Sequence, residues 1–309
     1  MATGFMVSKK KIGIICVCLN QPYWQYIQEM LWGLDTFFLK HHSIRDKYQV
    51  DMLLWTDIPE LNDEKFFTKF KEQHVQTPTL TYEQYVAEAK TYFGEVRKKA
   101  KIFPTEPLEW PMPTLMRYHL FLQQEEELRN YDYLFYIDTD MRITDWISEE
   151  ILGDGLTASQ HPMYALRRNY QPPYEPNPES SAYIPRPGRI IEEDSKKKFE
   201  PLYFAGGFQG GRTEDFIKAM KVMRKNIDED FNRNYVAIWN DETHWNKYLF
   251  ENPPSVVLNP AYIYPDSLVA DYYVKLWGRN YSPKIMTLTK AFSTDTKGGQ
   301  AVHEMMATM

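Results

Sequence analysis

The sequence has little cysteine and no long hydrophobic run. Its 309 residues include two cysteines, Cys16 and Cys18, which lie two positions apart on a predicted strand. Side chains at that spacing point the same way, so the two thiols are poorly placed to form a disulfide. Apolar segments such as 12–19 have the length of a strand and are shorter than the roughly 18 residues of a membrane span. The N-terminus lacks the features of a secretory signal. We therefore expect a soluble protein with a cytoplasmic location.

An excess of basic residues is also missing. The chain has 36 Lys and Arg residues against 42 Asp and Glu residues, which gives a formal net charge of −6. Nucleic acids and anionic membranes bind to basic surfaces, so this composition argues against both as general partners. The length is sufficient for one large α/β domain or two small domains without disulfide support.

The first 58 residues predict a parallel sheet. Segments 11–19 and 48–55 are short, apolar and rich in β-branched or aromatic residues, which is typical of buried strands. Between them, apolar residues at 27–38 recur at helical spacing. A strand-helix-strand order favours parallel pairing, and parallel sheets bind ligands at the carboxyl ends of their strands. Those ends lie at 19–23 and 55–58.

An acidic pair follows the predicted strand 133–137. Asp138-Thr139-Asp140 places two carboxylates where they could hold a divalent cation, which would neutralise a diphosphate. Solvated turn carboxylates are one alternative, and a dehalogenase-type phosphatase with an Asp nucleophile is another. The phosphatase needs its motif on the first strand of the core, but here two strand-helix units precede it and position 142 is Arg. The order favours a nucleotide-sugar glycosyltransferase.

Two further segments carry polar chemistry. A predicted helix at 237–250 has Asp241 and Glu242 in its first turn. These acids either complement the helix dipole or stabilise positive charge at an anomeric carbon. Trp239 either stacks on a sugar ring or belongs to the core. The predicted strand 202–208 contains Gly206 and Gly207, which mark either a bend or a close approach of backbone to ligand.

Other elements are predicted from local signals. Thr114 is expected to cap a helix that ends near 129, and Thr213 is expected to cap another. We expect one domain over 1–292. Within this domain we expect a helical insertion at 61–103 and a mobile loop at 170–201. A flexible tail at 293–309 follows the domain, and we expect the tail and the loop to close over bound UDP.

In their order along the chain, these motifs resemble glycosyltransferase family 6. This is the family of the histo-blood-group A and B transferases, the α-1,3-galactosyltransferase and their soluble bacterial relatives. The matching segments are Asp138-Thr139-Asp140, His161-Pro162, 181–185, 203–211, 239–248 and 258–262. The resemblance covers about 105–265 well and 11–55 loosely. Because this chain has no apparent anchor or stem, it is most similar to the soluble microbial type.

The resemblance implies a GT-A fold, with one Rossmann-like nucleotide-sugar domain and a mixed central sheet. It also implies retaining transfer of GalNAc or Gal from UDP-sugar to a β-galactoside, with or without a fucose branch, in an α-1,3 linkage. The small residues at 205–207 leave room for an acetamido group and favour UDP-GalNAc. A phosphatase, or a non-catalytic UDP- or glycan-binding protein on a transferase scaffold, remains as an alternative.

The resemblance also assigns residue roles. Glu242 would be the catalytic carboxylate, and Asp138 and Asp140 would bind Mn²⁺ or Mg²⁺. The donor-binding residues would be Val17, Cys18, Tyr23, Arg117, Asp138, Thr139, Asp140, Ala205, Gly206, Gly207 and Asp241, and the acceptor-binding residues would be His161, Trp239 and Glu242. Basic residues that could neutralise the departing UDP are Arg279, Lys284 and Lys290. His161 could instead be an ordinary loop imidazole, and Arg117 could pair with Glu125 or with another acidic residue of a helix.

Overall fold

A seven-stranded mixed sheet forms the centre of the computed structural model. The structure describes residues 8–19, 21–24, 26–58, 82–165, 172–185 and 202–288. The strands of this sheet are β1 (Lys10–Cys18), β2 (Tyr48–Thr56), β3 (Ala100–Pro104), β4 (Tyr133–Ile137), β6 (Leu156–Gln160), β7 (Phe204–Arg212) and β8 (Val256–Leu258), and a separate two-stranded sheet contains β5 (Met141–Ile143) and β9 (Ile285–Thr287). The spatial order of the large sheet is β3-β2-β1-β4-β7-β6-β8.

The sheet has a parallel half and an antiparallel part. Strands β1 to β4 are parallel where they pair, as the strand-helix-strand pattern predicts. Strand β7 runs antiparallel to both β4 and β6, whereas β8 is parallel to β6. As a result, β7 begins at the same edge at which β1 and β4 end. The antiparallel direction of β7 brings its first residues beside the acidic motif after β4.

Helices cover both faces of the sheet. They are α1 (Gln21–Trp24), α2 (Ile27–Thr36), α3 (Tyr82–Lys99), α4 (Met112–Leu115), α5 (Arg117–Leu122), α6 (Glu125–Leu128), α7 (Thr213–Asn232), α8 (Asn240–Glu251) and α9 (Ser267–Trp277), with 3₁₀ turns at Glu149–Ile151 and Pro260–Ile263. Along β1, Cys16 and Cys18 belong to the core that includes α2 and α3, whereas Ile15 and Val17 belong to the core that includes α5, α7 and α8. Both cysteines are free and buried.

The predicted helix from Thr114 to about 129 is wrong in its boundaries. The segment forms three short helices, α4 to α6, and Thr114 lies inside α4. Pro113 occupies the first turn, where its missing N–H costs nothing, so the helix begins before Thr114. The Thr114 hydroxyl donates to the Pro111 carbonyl at 2.8 Å. Thr213 is likewise the first helical residue, after Arg212 as the cap.

Three predicted segments fall partly or wholly outside the described residues. Of the insertion at 61–103, the described residues form α3 and most of β3, and residues 59–81 lie outside. Of the loop at 170–201, only 172–185 is described. The tail at 293–309 lies outside as well. Within the described residues, no helix is both long enough and apolar enough to cross a membrane.

Candidate active site

The ends of β1 and β4 and the short helices α4 and α5 border one crevice. The first residues of β7 and the first turn of α8 lie next to it, against Asp138 and Arg117. Ile15 of β1 pairs with Tyr136 of β4, so continuation of the register brings Val17 level with Asp138. The crevice has a volume of about 220 Å³. It is lined by Val17, Leu19, Tyr23, Trp110, Pro113, Thr114, Arg117, Tyr136, Asp138, Thr139 and Asp140.

Six of the predicted donor-binding residues line this crevice: Val17, Tyr23, Arg117, Asp138, Thr139 and Asp140. Thr139 also joins two strands, because its hydroxyl donates to the Val17 carbonyl at 2.7 Å. Cys18 is placed differently. Its side chain is fully buried in the core on the opposite face of the sheet. Only the backbone of Cys18 lies toward this edge, where its carbonyl accepts from the Thr56 hydroxyl at 2.7 Å.

Arg117 connects the acidic motif after β4 to the first turn of α8. Its buried Nη1 lies 3.4 Å from Asp138 Oδ1 and 3.3 Å from Asp241 Oδ2. The guanidinium carbon lies 4.3 Å from the centre of the Tyr136 ring, which it covers. The alternative pairing with Glu125 does not occur, since that carboxylate contacts Arg129 and Lys221. Arg117 therefore provides the positive charge of the crevice.

Asp138 lies directly against the glycines of β7. Its N–H donates to the Gly207 carbonyl at 2.9 Å, and its Oδ1 accepts from the Tyr136 hydroxyl. A Cβ atom at Gly207 would lie 2.8 Å from Asp138 Oδ2 and 3.3 Å from Met141 Sδ. Side chains at this position would have to displace the carboxylate. The close approach of backbone that the glycines predicted is therefore an approach to Asp138.

Glu242 is held against the same glycines. Its Oε2 accepts from the Gly206 N–H at 2.8 Å. Burial raises the pKa of Glu242 to about 7 and that of Asp241 to about 6. The positive charge of Arg117 opposes the rise at Asp241. The first turn of α8 thus places two carboxyl groups with elevated pKa values beside residues 205–207.

The other two predicted acceptor residues are His161 and Trp239. His161 Nδ1 accepts from the Met163 N–H at 3.1 Å, and burial lowers the pKa of His161 to about 4, so the imidazole is neutral. The His161 ring packs 5.7 Å from that of Tyr203, whose phenol has its pKa raised by burial and by Glu242. Trp239 precedes α8 and is 47% exposed, so its ring is available to a ligand.

Of the basic residues that were expected near UDP, the two described ones, Arg279 and Lys284, are not among those that line the crevice. Lys284 Nζ donates to Glu150 Oε1 at 2.9 Å and also to the Trp146 carbonyl. Arg279 lies 5.2 Å from the centre of the Tyr281 ring. Lys290 lies outside the described residues. In the part of the crevice that the structure describes, Arg117 is the basic lining residue.

Sequence reasoning missed Tyr136. The residue supports both Asp138, through its hydroxyl, and Arg117, through its ring face. The spacing could have identified it, because residues two apart on a strand share a face and Tyr136 precedes Asp138 by two. Trp110, 66% exposed, also lines the crevice.

A family model and several known proteins are similar to this chain. The model of glycosyltransferase family 6 matches residues 112–284, more than half of the chain. Histo-blood group ABO system transferase 1 of Rattus norvegicus is 36% identical over 138 residues, which cover 45% of this chain and 36% of the rat protein. Globoside alpha-1,3-N-acetylgalactosaminyltransferase 1 of Gallus gallus is 32% identical over 142 residues, which cover 46% and 38%.

A bacterial relative is similar over a longer stretch. O-antigen biosynthesis glycosyltransferase WbnI of Escherichia coli is 23% identical over 228 residues, which cover 74% of this chain and 88% of the bacterial protein. By contrast, the chain spans little more than a third of the length of the rat and chicken relatives. The matched region 112–284 includes Arg117, the Asp-Thr-Asp motif and Glu242. This chain belongs to glycosyltransferase family 6.

Proposed function

We propose that this chain is a retaining hexosyltransferase. It transfers GalNAc or Gal from a UDP-sugar to a β-galactoside acceptor and forms an α-1,3 linkage. The observation that carries the proposal is that Asp138 and Glu242 converge on the glycines of β7, with Arg117 beside Asp138, within a chain of this family. The sugar and the linkage are supported by the similarity to the globoside alpha-1,3-N-acetylgalactosaminyltransferases, whose name states both. The parallel half of the sheet supports a GT-A fold, in one domain over 1–292.

The donor would lie along the crevice. Val17 and Tyr23 line it beside the end of β1, where the resemblance expects uridine, and a flat phenol ring suits the face of uracil. Arg117 supplies positive charge toward the diphosphate from a buried position, in which electrostatic interactions are stronger than in water. Cys18 would contribute only its backbone, because its side chain faces the other core.

The residues present suit a hard divalent cation. Asp138 and Asp140 line the crevice, and across the described ranges no cluster of three or more His, Cys, Asp or Glu residues could enclose a metal ion. Magnesium-type sites use one or two carboxylates and leave the other positions to water and substrate phosphates. Asp138 and Asp140 would therefore hold Mn²⁺ or Mg²⁺. When bound, that ion would offset the negative charge of the diphosphate.

Glu242 would act on the sugar. It lies beside Gly206, and Asp241 is held next to it by Arg117, so both carboxyl groups face the position of the transferred residue. An ionised Glu242 would stabilise positive charge at the anomeric carbon while the bond to UDP breaks. His161 and Trp239 would orient the acceptor. The exposed Trp239 ring offers a flat surface to a pyranose.

We propose UDP-GalNAc as the preferred donor. Residues 205–207 are Ala, Gly and Gly, so three consecutive positions leave the space that an acetamido group needs. The approach of Gly207 to Asp138 shows how little room a larger side chain would have there. Because the added methyl group would displace the Asp138 carboxylate, exchange of Gly207 for Ala is expected to reduce turnover of both UDP-GalNAc and UDP-Gal.

The two alternatives make different predictions. A dehalogenase-type phosphatase would release phosphate from small phosphoesters and lose all activity in Asp138→Asn. Arg142, two residues after the acidic motif, forms an ion pair with Glu29. A non-catalytic scaffold protein would bind UDP or a glycan without turnover.

The test is a panel of donors and acceptors. UDP-GalNAc and UDP-Gal are each incubated with β-galactosides, with and without a fucose branch, in Mn²⁺ or in EDTA, and UDP release is measured. We expect release that the acceptor increases and the chelator abolishes. Glu242→Gln should bind UDP as the wild type does and lose most turnover. Full turnover in that variant, or no UDP release from either donor, would refute the proposal.

A further inference from the structure

Strand β7 departs from regular pairing at residues 205–208. Phe204 pairs with Gln160 of β6, and Gln209 pairs with Ala158, so four residues of β7 lie opposite a single residue of β6. On its other side, β7 remains close to β4, where Phe208 pairs with Ile137. Regular pairing with β6 is therefore interrupted opposite the triplet 205–207. Backbone groups that are buried without partners are costly, so other groups must satisfy them.

Side chains supply both partners of Gly206. Its N–H donates to Glu242 Oε2 at 2.8 Å, and its carbonyl accepts from Gln209 Nε2 at 2.9 Å. The amide of Gln209 is in turn held by the Tyr118 hydroxyl, which lies 3.2 Å from Nε2 and 3.4 Å from Oε1. Glu242 thus holds the 205–206 peptide group and Gln209 holds the 206–207 peptide group, one on each side of the Gly206 Cα atom.

Both members of this pair are fully buried. Gln209 and Tyr118 are both 0% exposed, and the Tyr118 side chain belongs to the apolar core that includes α7 and α8. An amide in such a place costs free energy unless its hydrogen bonds are made, whereas an apolar residue of similar size would pack there without that cost. Neither residue lines the crevice. Tyr118 directly follows Arg117, so the pair also joins the helix of the basic residue to the triplet.

We propose that Gln209, held by Tyr118, is a positioning residue for the donor sugar. It fixes the 206–207 peptide, which follows the peptide whose N–H meets Glu242, and it thereby gives residues 205–207 a single shape. The proposal rests on the proposed function, in which Glu242 and the triplet face the transferred sugar. Its consequence is specific, because loss of Gln209 disturbs the sugar end of the donor site and leaves the uridine end intact.

The test compares Gln209→Met with a matched control. Methionine has a similar shape and removes both hydrogen bonds. Thr157→Val on the neighbouring strand removes another buried bond, from the Thr157 hydroxyl to the Ile151 carbonyl at 2.8 Å, far from the triplet in sequence. In Gln209→Met we expect the Kd of UDP to stay within about twofold, and kcat to fall about tenfold or more, because small misplacements of reacting groups are costly. The ratio of UDP-GalNAc to UDP-Gal turnover should also change.

Thr157→Val should retain the wild-type kcat and donor ratio. If Gln209→Met does not fold, Tyr118→Phe replaces it in the test, because this variant removes only the hydroxyl that holds the Gln209 amide. It should show a smaller loss in kcat, again with little change in the Kd of UDP. Wild-type kcat and donor ratio in the folded Gln209→Met variant, or in Tyr118→Phe where only that variant folds, would overturn the proposal. Equal losses in the Thr157→Val control would overturn it too.

A structural readout separates this proposal from the proposed function. Hydrogen exchange of the peptide that contains Gly206 is measured by mass spectrometry in the wild type and in both variants. We expect faster exchange in Gln209→Met and unchanged exchange in Thr157→Val. If the wild type turns over no donor, the proposed function fails while the exchange result still tests the positioning role. Unchanged exchange in Gln209→Met would refute that role regardless of activity.

Discussion

Replacement of Glu242 by Gln is expected to stabilise the fold at alkaline pH. Burial raises the pKa of Glu242 to about 7 from its ordinary value of 4.5, so the ionised form is penalised in the folded state. Between those values, the folded protein keeps a proton that the unfolded chain has released. The wild type therefore loses stability as pH rises through this window, and the loss is complete above about 7.

The magnitude follows from the two pKa values. At about 1.4 kcal/mol per pKa unit, the difference between 4.5 and about 7 gives an upper limit of about 3 kcal/mol. A neutral Gln avoids this penalty, and its amide oxygen can still accept the Gly206 N–H that Glu242 accepts at 2.8 Å. Glu242→Gln should exceed the wild type in unfolding free energy by up to about 3 kcal/mol at pH 8 and by less than about 1 kcal/mol at pH 5.

The assay is urea denaturation, followed by tryptophan fluorescence, of both proteins at pH 5, 6, 7 and 8. Asp154→Asn controls for the loss of one negative charge, since the Asp154 side chain is 98% exposed. A stability difference between wild type and Glu242→Gln that stays constant from pH 5 to pH 8 would refute the reasoning. A Gln variant that is less stable than the wild type at pH 8 would refute it as well.

Three further predictions concern other parts of the crevice. Arg117→Met leaves the buried Asp241 without its cation, so it should lower the unfolding free energy by about 3–5 kcal/mol, measured by denaturation. It should also raise the Kd of UDP at least tenfold, measured by calorimetry. A stable variant with wild-type UDP affinity would contradict this. Asp140→Asn should raise the Mn²⁺ concentration for half-maximal turnover, and unchanged metal dependence would count against its role as a ligand. Trp239→Ala should raise the acceptor KM about tenfold, because the exposed ring is available to stack on the acceptor. Acceptor-independent hydrolysis of the donor should be retained. An unchanged acceptor KM would exclude stacking.

Much of the parallel half of the sheet could be predicted from the sequence. Segments 11–19, 48–55 and 133–137 are short and apolar, and each forms a strand close to its predicted bounds. The place of Asp138 at the end of β4 follows from the rule that parallel sheets carry their ligands there. The local pattern was strong because these strands are buried on both faces.

The interactions that shape the crevice could not be predicted. Arg117 and Asp241 lie far apart in sequence, and no periodicity relates them. Gln209 lies in a strand whose antiparallel direction and irregular pairing depend on tertiary contacts. The start of the helix before Thr114 also could not be predicted. It depends on Pro113, which is tolerated in the first turn of a helix.

The anomeric configuration of the product tests the central claim most directly. The wild type is incubated with UDP-GalNAc, Mn²⁺ and a β-galactoside, and the new linkage is determined by proton NMR from the coupling of the anomeric proton and from contacts to the acceptor ring. We predict an α linkage to O3 of galactose, with the configuration of the donor retained. A β-linked product, or transfer to water alone in the presence of every acceptor of the panel, would contradict the account.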